Sequence, residues 1–242
     1  MAESRKAMID EIRGAFSFLT ILPVGSPASR DAGKTFAWFP LVGLFIGASL
    51  LAIAAISPFD RELTAALILI CWVVISGGLH LDGFADCCDG LLGHGEPQKR
   101  LAIMRDPRLG TWAAAGLVLL LLTKWLAIGA LDPALLILPP LFGRWAMVLA
   151  AYHFPYAREA GIGAVFREGL GARQLLVSSV IVGIVGSYYG AIYLWLLTLL
   201  ITAAVGRWAS TRLGGGISGD VYGAICELSE LACLLGMGII HA

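Results

Sequence analysis

Long apolar runs constrain this chain more than any other feature of its sequence. Residues 36–57, 63–79, 112–130 and 134–151 each approach the roughly 20 residues that a helix needs to cross a bilayer. Residues 175–208 suffice for two crossings with a break near 186–190, and residues 222–240 form a further run. Only 14% of the residues are charged, whereas a soluble domain has about 25%. We therefore expect an all-α, polytopic integral membrane bundle of about seven transmembrane helices (six to eight), forming a single domain over residues 1–242.

The basic residues outside these runs fall mainly on one side of the predicted membrane. That side carries the N-terminus and the segments 80–111, 152–173 and 210–221, whereas the short 58–62 loop on the other side carries Arg61. Cytoplasmic loops are enriched in Lys and Arg, so we expect the N-terminus and the three segments to be cytoplasmic. The residues behind this prediction are Arg5, Lys6, Arg13, Arg30, Lys34, Lys99, Arg100, Arg105, Arg108, Arg158, Arg167, Arg173 and Arg212. We expect the membrane that the chain spans to be the cell inner membrane.

The stretch before the first crossing has a helical pattern of its own. Polar Asp10, Arg13 and Ser17 recur at helical spacing, and the residues between them are mostly apolar. A helix with one polar and one apolar face lies in the plane of the membrane interface. We therefore predict an interfacial amphipathic helix over residues 8–22, ending before Pro23.

Three carboxylates directly follow the second apolar run. Asp82, Asp86 and Asp89 are spaced by four and three residues, which places them within about 60° of one another on one face of a helix. Unpaired like charges at this spacing repel each other, and the cost is greater beside a bilayer. A hard divalent cation would relieve the repulsion, and ligands that are all oxygen suit Mg²⁺ or Mn²⁺. We predict that these three residues are metal ligands.

A zinc site is an alternative, because Cys87 and Cys88 lie near His80 and His94 in the sequence. On a helix, however, the two thiols point away from the Asp face, and adjacent cysteines lack the separated spacing of zinc ligands. Small residues that let helices pack closely are a better account of both cysteines.

A basic segment follows the acidic one, and we call residues 99–108 the basic loop. Lys99, Arg100, Arg105 and Arg108 surround Asp106, and guanidinium and ammonium groups are common partners of phosphate oxygens. A metal between the acidic residues and this loop would stabilise a phosphoryl group in transfer, and a spare carboxylate could accept a hydroxyl proton. The residues therefore predict a diphosphate held at the membrane surface, although membrane topology alone also makes such a loop basic.

The acidic motif has a partial echo near the C-terminus. Gly77-Gly78-x3-Asp82-x5-Cys88-Asp89 recurs as Gly215-Gly216-x3-Asp220-x5-Cys226-Glu227. Asp220 and Glu227 are seven residues apart and share a helix face. They would either take part in the site or only solvate a helix end.

Three cations lie inside the apolar runs, Lys124, Arg144 and Arg207. Arg144 lies toward the cytoplasmic end of its run, and charged groups at such depth usually face a cavity or a partner. We expect Arg144 to face the polar pocket and bind substrate, with snorkelling to the interface as the alternative. Lys124 lies toward the other side, where we expect it to snorkel or to meet Asp132.

Two segments of the chain, taken together, carry a family likeness. They are Gly77-Gly78-Leu79-His80-x-Asp82-Gly83-x-Ala85-Asp86-x2-Asp89-Gly90 and Arg100-Leu101-x-Ile103-Met104-x-Asp106-x-Arg108-x-Gly110-Thr111. Both closely resemble the cobalamin synthase family, the adenosylcobinamide-GDP ribazoletransferases. Further family-like segments at residues 18–23, 38–43 and 214–224 extend the likeness along nearly the whole chain. Cys87 stands where we expect a small polar residue such as threonine.

The resemblance implies a multi-pass, Mg²⁺-dependent enzyme that joins adenosylcobinamide-GDP to α-ribazole, or to α-ribazole 5′-phosphate, and releases GMP. The metal would be held by Asp82, Asp86 and Asp89, with Asp106 as a further ligand or base. The diphosphate would be neutralised by Lys99, Arg100, Arg105 and Arg108, and the substrate oriented by Asp220, Glu227 and Arg144. The partners would be these small molecules and the lipid bilayer, with no nucleic acid, and assembly as a homo-oligomer stays open.

Two other functions stay open at this point. A CDP-alcohol phosphotransferase also places acidic residues and a metal at a membrane face, but its motif has Ala-Arg where this chain has Ala85-Asp86. A metal-ion transporter would use Asp82, Asp86 and Asp89 as a permeation site. Such a protein should carry polar groups through the full depth of the membrane, whereas the groups here crowd at one face.

Overall fold

The computed structural model describes residues 2–25, 32–158 and 169–240, and its regular structure is helical. Within these ranges the helices are α1 (Ala2–Leu19), α2 (Phe39–Ile56), α3 (Arg61–Ile75), α4 (Leu79–Leu92), α5 (Pro97–Ile103), α6 (Thr111–Ala130), α7 (Leu138–His153), α8 (Ala172–Tyr188), α9 (Tyr193–Arg212) and α10 (Gly219–Ile240). Short 3₁₀ helices precede α2 (Ala32–Trp38) and α7 (Pro133–Ile137). Arg30, Arg167 and part of the predicted 152–173 loop lie outside the described residues.

Five helical segments of the described chain are long and apolar enough to cross a membrane. They are α2 and α7, each with its 3₁₀ turn, and α6, α9 and α10. The pair α3 and α4 meets the same criterion only when taken together, and α8 is apolar but has 17 residues. The predicted break near 186–190 is present, since α8 ends at Tyr188 and α9 begins at Tyr193. The prediction of an all-α, multi-pass membrane bundle is confirmed.

Two glycines turn the chain sharply between α3 and α4. Gly77 and Gly78 have φ angles of +63° and +69°, in the left-handed region that residues with a Cβ rarely adopt. The axes of the two helices consequently differ by 89°. The apolar run 63–79 therefore does not continue straight, because α3 ends at Ile75 and the acidic motif begins a new helix at nearly a right angle to α3.

The core of the bundle is built around α7. Every residue of this helix from Leu138 to Ala151 is buried, and α7 packs against both α2 and α10. Aromatic rings fill the space toward α9, where the ring centroids of Trp145 and Trp195 lie 4.4 Å apart. Close packing of this kind holds helices together in a bilayer, where apolar side chains gain little by leaving lipid. Any charged side chain on α7 must consequently find its partner inside the bundle.

The N-terminal helix α1 rests on the start of α2. The Trp38 indole nitrogen donates a hydrogen bond of 3.0 Å to Glu11 Oε2, and the rings of Phe16 and Phe45 lie 5.5 Å apart. The predicted helix is present but extends over residues 2–19 instead of 8–22. Its location at a membrane interface stays a prediction.

Candidate active site at the acidic end of the bundle

The first turns of α4 and α10 cross in close contact. A Cβ atom at Gly83 would lie 2.8 Å from the carbonyl oxygen of Asp220, and one at Gly223 would lie 3.1 Å from that of His80. Glycine allows this approach because it has no side chain. We call this region, where α4 meets the N-termini of α6 and α10, the acidic end of the bundle.

Asp82 and Asp86 are the carboxylates of α4 that the fold leaves unpaired. Asp82 is exposed and Asp86 is half-buried, and no hydrogen bond or ion pair joins either side chain to another described residue. Asp86 lies within electrostatic range of Asp82, Asp89 and Asp220. Helix α10 thus adds Asp220 to the acidic group that α4 carries.

Asp89 lies at the N-terminus of α6. Its Oδ2 accepts a hydrogen bond of 2.7 Å from the backbone N–H of Gly110, and its Oδ1 accepts one of 3.0 Å from that of Ala113. The first N–H groups of a helix lack partners within it and favour a negative charge nearby. Because Gly110 has no side chain with which to cap α6, Asp89 supplies the cap from a different helix. These two hydrogen bonds fix the end of the basic loop next to α4.

Asp220 is paired with a residue that follows α7. Arg158 Nη2 donates to Asp220 Oδ2 at 2.7 Å, and Ser218 Oγ donates to the same oxygen at 3.1 Å. Backbone hydrogen bonds between 155–157 and Ile217 hold these two segments together. The Arg158 Nε is buried without a partner among the described residues. Asp220 therefore faces Asp86 with its charge partly neutralised by Arg158.

Arg100 closes the C-terminal end of α4. Its side chain is 8% exposed and donates to the backbone carbonyls of Gly90, Leu91, Gly93 and Gly95 at 2.9–3.0 Å. Arg212 of α9 donates to the Leu91 carbonyl as well, at 2.9 Å. The last carbonyls of a helix need such donors. Arg100 is thus occupied in holding α4 to the loop that follows it.

The rest of the basic loop is open to solvent. Arg108 Nη2 and Asp106 Oδ2 form an ion pair at 2.6 Å, and hydrogen bonds from the Arg108 side chain and backbone lower the pKa of Asp106 to about 2. Both residues line a cavity of about 370 Å³ together with Asp89 and Gly110. Lys99 and Arg105 are exposed and make no ion pair with other described residues. These cations are available to an anionic ligand.

Arg144 and Glu227 lie away from this surface, inside the bundle. Lys124 Nζ donates to Glu227 Oε2 at 2.6 Å and to Glu230 Oε2 at 2.5 Å, while Arg144 pairs with Glu230 Oε1. The ammonium of Lys124 also lies 4.5 Å from the centre of the Trp72 ring. The expectation that Lys124 snorkels or meets Asp132 is therefore wrong, because two carboxylates of α10 offer it partners within the core.

The donors of the acidic end fit Mg²⁺ that is bound by two carboxylates together with water and substrate phosphates. Among the residues that the structure describes, no three His, Cys, Asp or Glu side chains converge closely enough to hold a metal alone. Mg²⁺ commonly takes one or two carboxylates and completes its shell with water and substrate phosphates. Asp82 and Asp86, unpaired and four residues apart on α4, meet that need.

The cysteines of α4 do not fit a zinc site. Cys87 and Cys88 are both buried and line an apolar cavity of about 380 Å³ between α4, α6, α9 and α10. They therefore face away from the carboxylates, as the helical spacing predicts. The alternative of a zinc centre finds no support in this geometry.

Sequence reasoning missed three residues that the structure brings into play. Arg158 and Ser218 bind Asp220, and Glu230 binds two buried cations, whereas the sequence pattern assigns Arg158 only a loop charge and gives the other two no role. A signal for Glu230 is present in the sequence, because cations and acids inside apolar runs are expected to pair with one another. Nothing in the local sequence indicates the contact between Arg158 and Asp220.

Comparison with known proteins gives a consistent result. The sequence model of the cobalamin-5-phosphate synthase family matches residues 11–238. A protein of Stutzerimonas stutzeri named adenosylcobinamide-GDP ribazoletransferase is 40% identical over 235 residues, covering 93% of this chain and 96% of its own length. Proteins of the same name from Pseudomonas putida and a Roseiflexus species are 39% and 38% identical, covering 93% and 91% of this chain and 97% and 86% of their own lengths. No solved structure matches the chain.

Proposed function

The chain belongs to the cobalamin-5-phosphate synthase family, transferases of the step that assembles the nucleotide loop of cobalamin, and we propose the reaction that its acidic end carries out. Adenosylcobinamide-GDP would be the donor, and α-ribazole or its 5′-phosphate the acceptor. A ribose hydroxyl of the acceptor forms a bond to the phosphorus attached to cobinamide. The bond from that phosphorus to the bridging oxygen breaks, and GMP leaves with that oxygen.

The observation that carries this proposal is the direct link between the acidic helix and the basic loop. The hydrogen bonds from Gly110 and Ala113 to Asp89 hold the loop against α4. Unpaired carboxylates and exposed cations therefore lie on neighbouring segments of one surface. A diphosphate needs both, because its charge is shared between a metal and cationic side chains during transfer.

Asp82 and Asp86 would hold Mg²⁺, or Mn²⁺, between α4 and the diphosphate. Bound there, the metal would supply Lewis acid stabilisation of the charge on the transferred phosphoryl group. Lys99 and Arg105 are exposed and would bind the phosphate oxygens, with Arg108 doing so if it releases Asp106. Asp220, paired with Arg158, would orient the acceptor from the side of α10.

The proton of the attacking hydroxyl needs a carboxylate close to the phosphorus. Asp106 is a poor acceptor while paired with Arg108, because a pKa of about 2 lies far from the neutral range in which a general base works best. Asp82 and Asp86 carry no such partner. We assign the proton to whichever of these two carboxylates the metal leaves free.

The acidic end would face the cytoplasm, in the cell inner membrane. Several apolar helices make the chain a membrane protein, and the exposed cations Lys99, Arg105 and Arg108 all lie at the acidic end. Positive residues accumulate on the cytoplasmic side of membrane proteins. A water-soluble nucleotide product such as GMP would leave toward that side.

GMP release by the purified protein in detergent tests the proposal. With adenosylcobinamide-GDP, α-ribazole and Mg²⁺, we expect GMP and a cobalamin product, and neither product after addition of EDTA. Asp82→Asn should lower the rate at least about 100-fold. Loss of a direct metal ligand should cost no less than loss of a residue that only supports such a ligand, for which about 100-fold is the upper end. Asp10→Asn, a change of a half-buried carboxylate on α1 far from Asp82 in the sequence, is the matched control.

Two results would contradict the proposal. Release of CMP from a CDP-alcohol with no GMP from adenosylcobinamide-GDP would assign a different donor. Full activity in EDTA would remove the metal from the reaction and leave Asp82 and Asp86 without their assigned role.

A further inference from the structure

A cluster of charged side chains in the interior of the bundle has no part in the reaction described above. It comprises Lys124 on α6, Arg144 on α7, Glu227 and Glu230 on α10, and His80 on α4, and we call it the buried charged cluster. All five are more than nine-tenths buried, and Glu227, at 5% exposure, is the most exposed. Charged groups inside a membrane bundle are costly and are usually retained for a function.

The charges of the cluster balance one another. Lys124 binds both carboxylates, and Arg144 binds Glu230, so that two cations face two anions. A substrate phosphate brought to Arg144 would have to displace Glu230, which is fully buried. The cluster therefore does not need a ligand to be neutral, and its role must be sought in what it holds together.

The cluster reaches α4 through His80. Arg144 Nη2 lies 3.3 Å from His80 Nδ1, and because a guanidinium only donates hydrogen bonds, the imidazole nitrogen accepts. The Sγ of Cys226 on α10 lies 3.7 Å from the same nitrogen. His80 is two residues before Asp82, and its carbonyl packs against Gly223 of α10. The first turn of α4 is thus held by contacts from α7 and α10 at once.

We infer that the buried charged cluster positions α4, through His80, so that Asp86 faces Asp220 with Asp82 beside it on α4. His80 is then a positioning residue that acts through α4 and does not touch the substrate. Without the contact from Arg144, the first turn of α4 would be held by its packing on α10 at Gly223 and by the turn at Gly77 and Gly78. The inference rests on the proposed function, because it is the acidic site of that reaction which is positioned.

A pair of variants separates positioning from simple packing. His80→Asn keeps a carbonyl oxygen that can accept from Arg144 where Nδ1 stood, whereas His80→Leu has a similar size and no acceptor. We expect kcat for GMP release, per folded molecule, to fall about 10–100-fold in His80→Leu, as for partners behind a metal ligand. KM for adenosylcobinamide-GDP should stay near its wild-type value, because the basic loop is unchanged. His80→Asn should restore most of the lost kcat.

A distance measurement reads the position of α4 without any substrate. Nitroxide labels would replace Leu92 on α4 and Leu235 on α10, which are 42% and 44% exposed. The labels would be attached to genetically encoded keto amino acids, since the 5 native cysteines would compete for a thiol reagent. Pulsed electron paramagnetic resonance should give one narrow distance distribution in the wild type and in His80→Asn, and a shifted or broadened one in His80→Leu.

Each outcome decides a different question. If His80→Leu retains the wild-type kcat or the wild-type distance distribution, the positioning role of His80 is overturned. If the wild type releases no GMP, the proposed function fails, and the distance distributions still decide whether His80 holds α4. If His80→Asn is as impaired as His80→Leu, the hydrogen bond from Arg144 is not what positions α4, and the inference is overturned.

Discussion

At the scale of single residues, the charged side chains of the acidic end differ in whether the protein already occupies them. Asp89 binds the N-terminus of α6, Arg100 binds the C-terminus of α4, and Asp220 binds Arg158. Asp82, Asp86 and Lys99 have no such partner. A charged group that already has partners gains less from a ligand than an unpaired one, whose charge is otherwise uncompensated. The unpaired residues are therefore the ones to which we assign metal and phosphate.

Asp89 gives a test of this distinction. Asp89→Ala leaves the N–H groups of Gly110 and Ala113 without their acceptor, which should cost about 0.5–2 kcal/mol of stability, as for other lost helix caps. Activity should fall because the basic loop loosens, raising KM for the donor. The Mg²⁺ concentration that gives half-maximal GMP release should stay the same, whereas Asp82→Asn should raise it.

Titrating Mg²⁺ in both variants is the measurement. A shift in the Mg²⁺ requirement of Asp89→Ala as large as that of Asp82→Asn would make Asp89 a metal ligand, as its helical spacing predicts. Asp10→Asn on α1 again serves as the control, because it changes one half-buried carboxylate far from Asp89 in the sequence.

At the scale of helices, the sequence predicts where a helix breaks and which residues share its face, but not which distant helix it packs against. The break between α8 and α9 was predictable, because glycine and polar residues at 186–190 interrupt an apolar run. The shared face of Asp82 and Asp86 was predictable from helical periodicity alone. The approach of Gly83 to Asp220 was not, because these residues are far apart in the chain and no local pattern records which helix α4 crosses.

The crossing of α4 and α10 can be tested at Gly83. Gly83→Ala would place a Cβ 2.8 Å from the carbonyl oxygen of Asp220, so the helices must separate, at a cost of about 1–3 kcal/mol. The same change at Gly238 of α10 meets nothing within 4 Å and should stabilise its helix by up to about 1 kcal/mol. We expect thermal unfolding in detergent to move in opposite directions for the two variants.

GMP release should distinguish them as well. Gly83→Ala should lower kcat because it separates Asp86 from Asp220, and Gly238→Ala should leave kcat unchanged. Equal stability and equal activity of both variants would show that α4 and α10 tolerate a wider separation than the structure indicates.

At the scale of the whole molecule, the distribution of charge separates an enzyme from a carrier. Unpaired charges lie at the acidic end, while the interior charges are buried and paired within the cluster of Lys124, Arg144, Glu227 and Glu230. An ion path would need polar groups that a permeating ion can reach through the depth of the bundle. The described interior offers paired groups joined across α6, α7 and α10 instead, which suits a rigid frame for a site at one end.

The balance of charge within that frame predicts how the whole bundle responds to its loss. Lys124→Met leaves Glu227 and Glu230 with Arg144 as their cation, so the cluster becomes negative in a medium of low dielectric. Breaking a buried ion pair by removing one partner typically costs about 3–5 kcal/mol. Glu227→Gln alone leaves an excess of positive charge and should also destabilise the protein. The double variant Lys124→Met, Glu227→Gln restores neutrality and should be more stable than Lys124→Met alone.

Thermal unfolding of the four proteins in detergent forms a double-mutant cycle whose coupling energy isolates the pair. Lys6→Met, which removes an exposed cation of α1, is the control and should change stability by no more than about 0.5 kcal/mol. The destabilisations of the single variants should fail to add, with the double variant recovering part of the loss. Simple additivity would mean that Lys124 and Glu227 contribute separately, and the interior charges would then not act as one balanced unit.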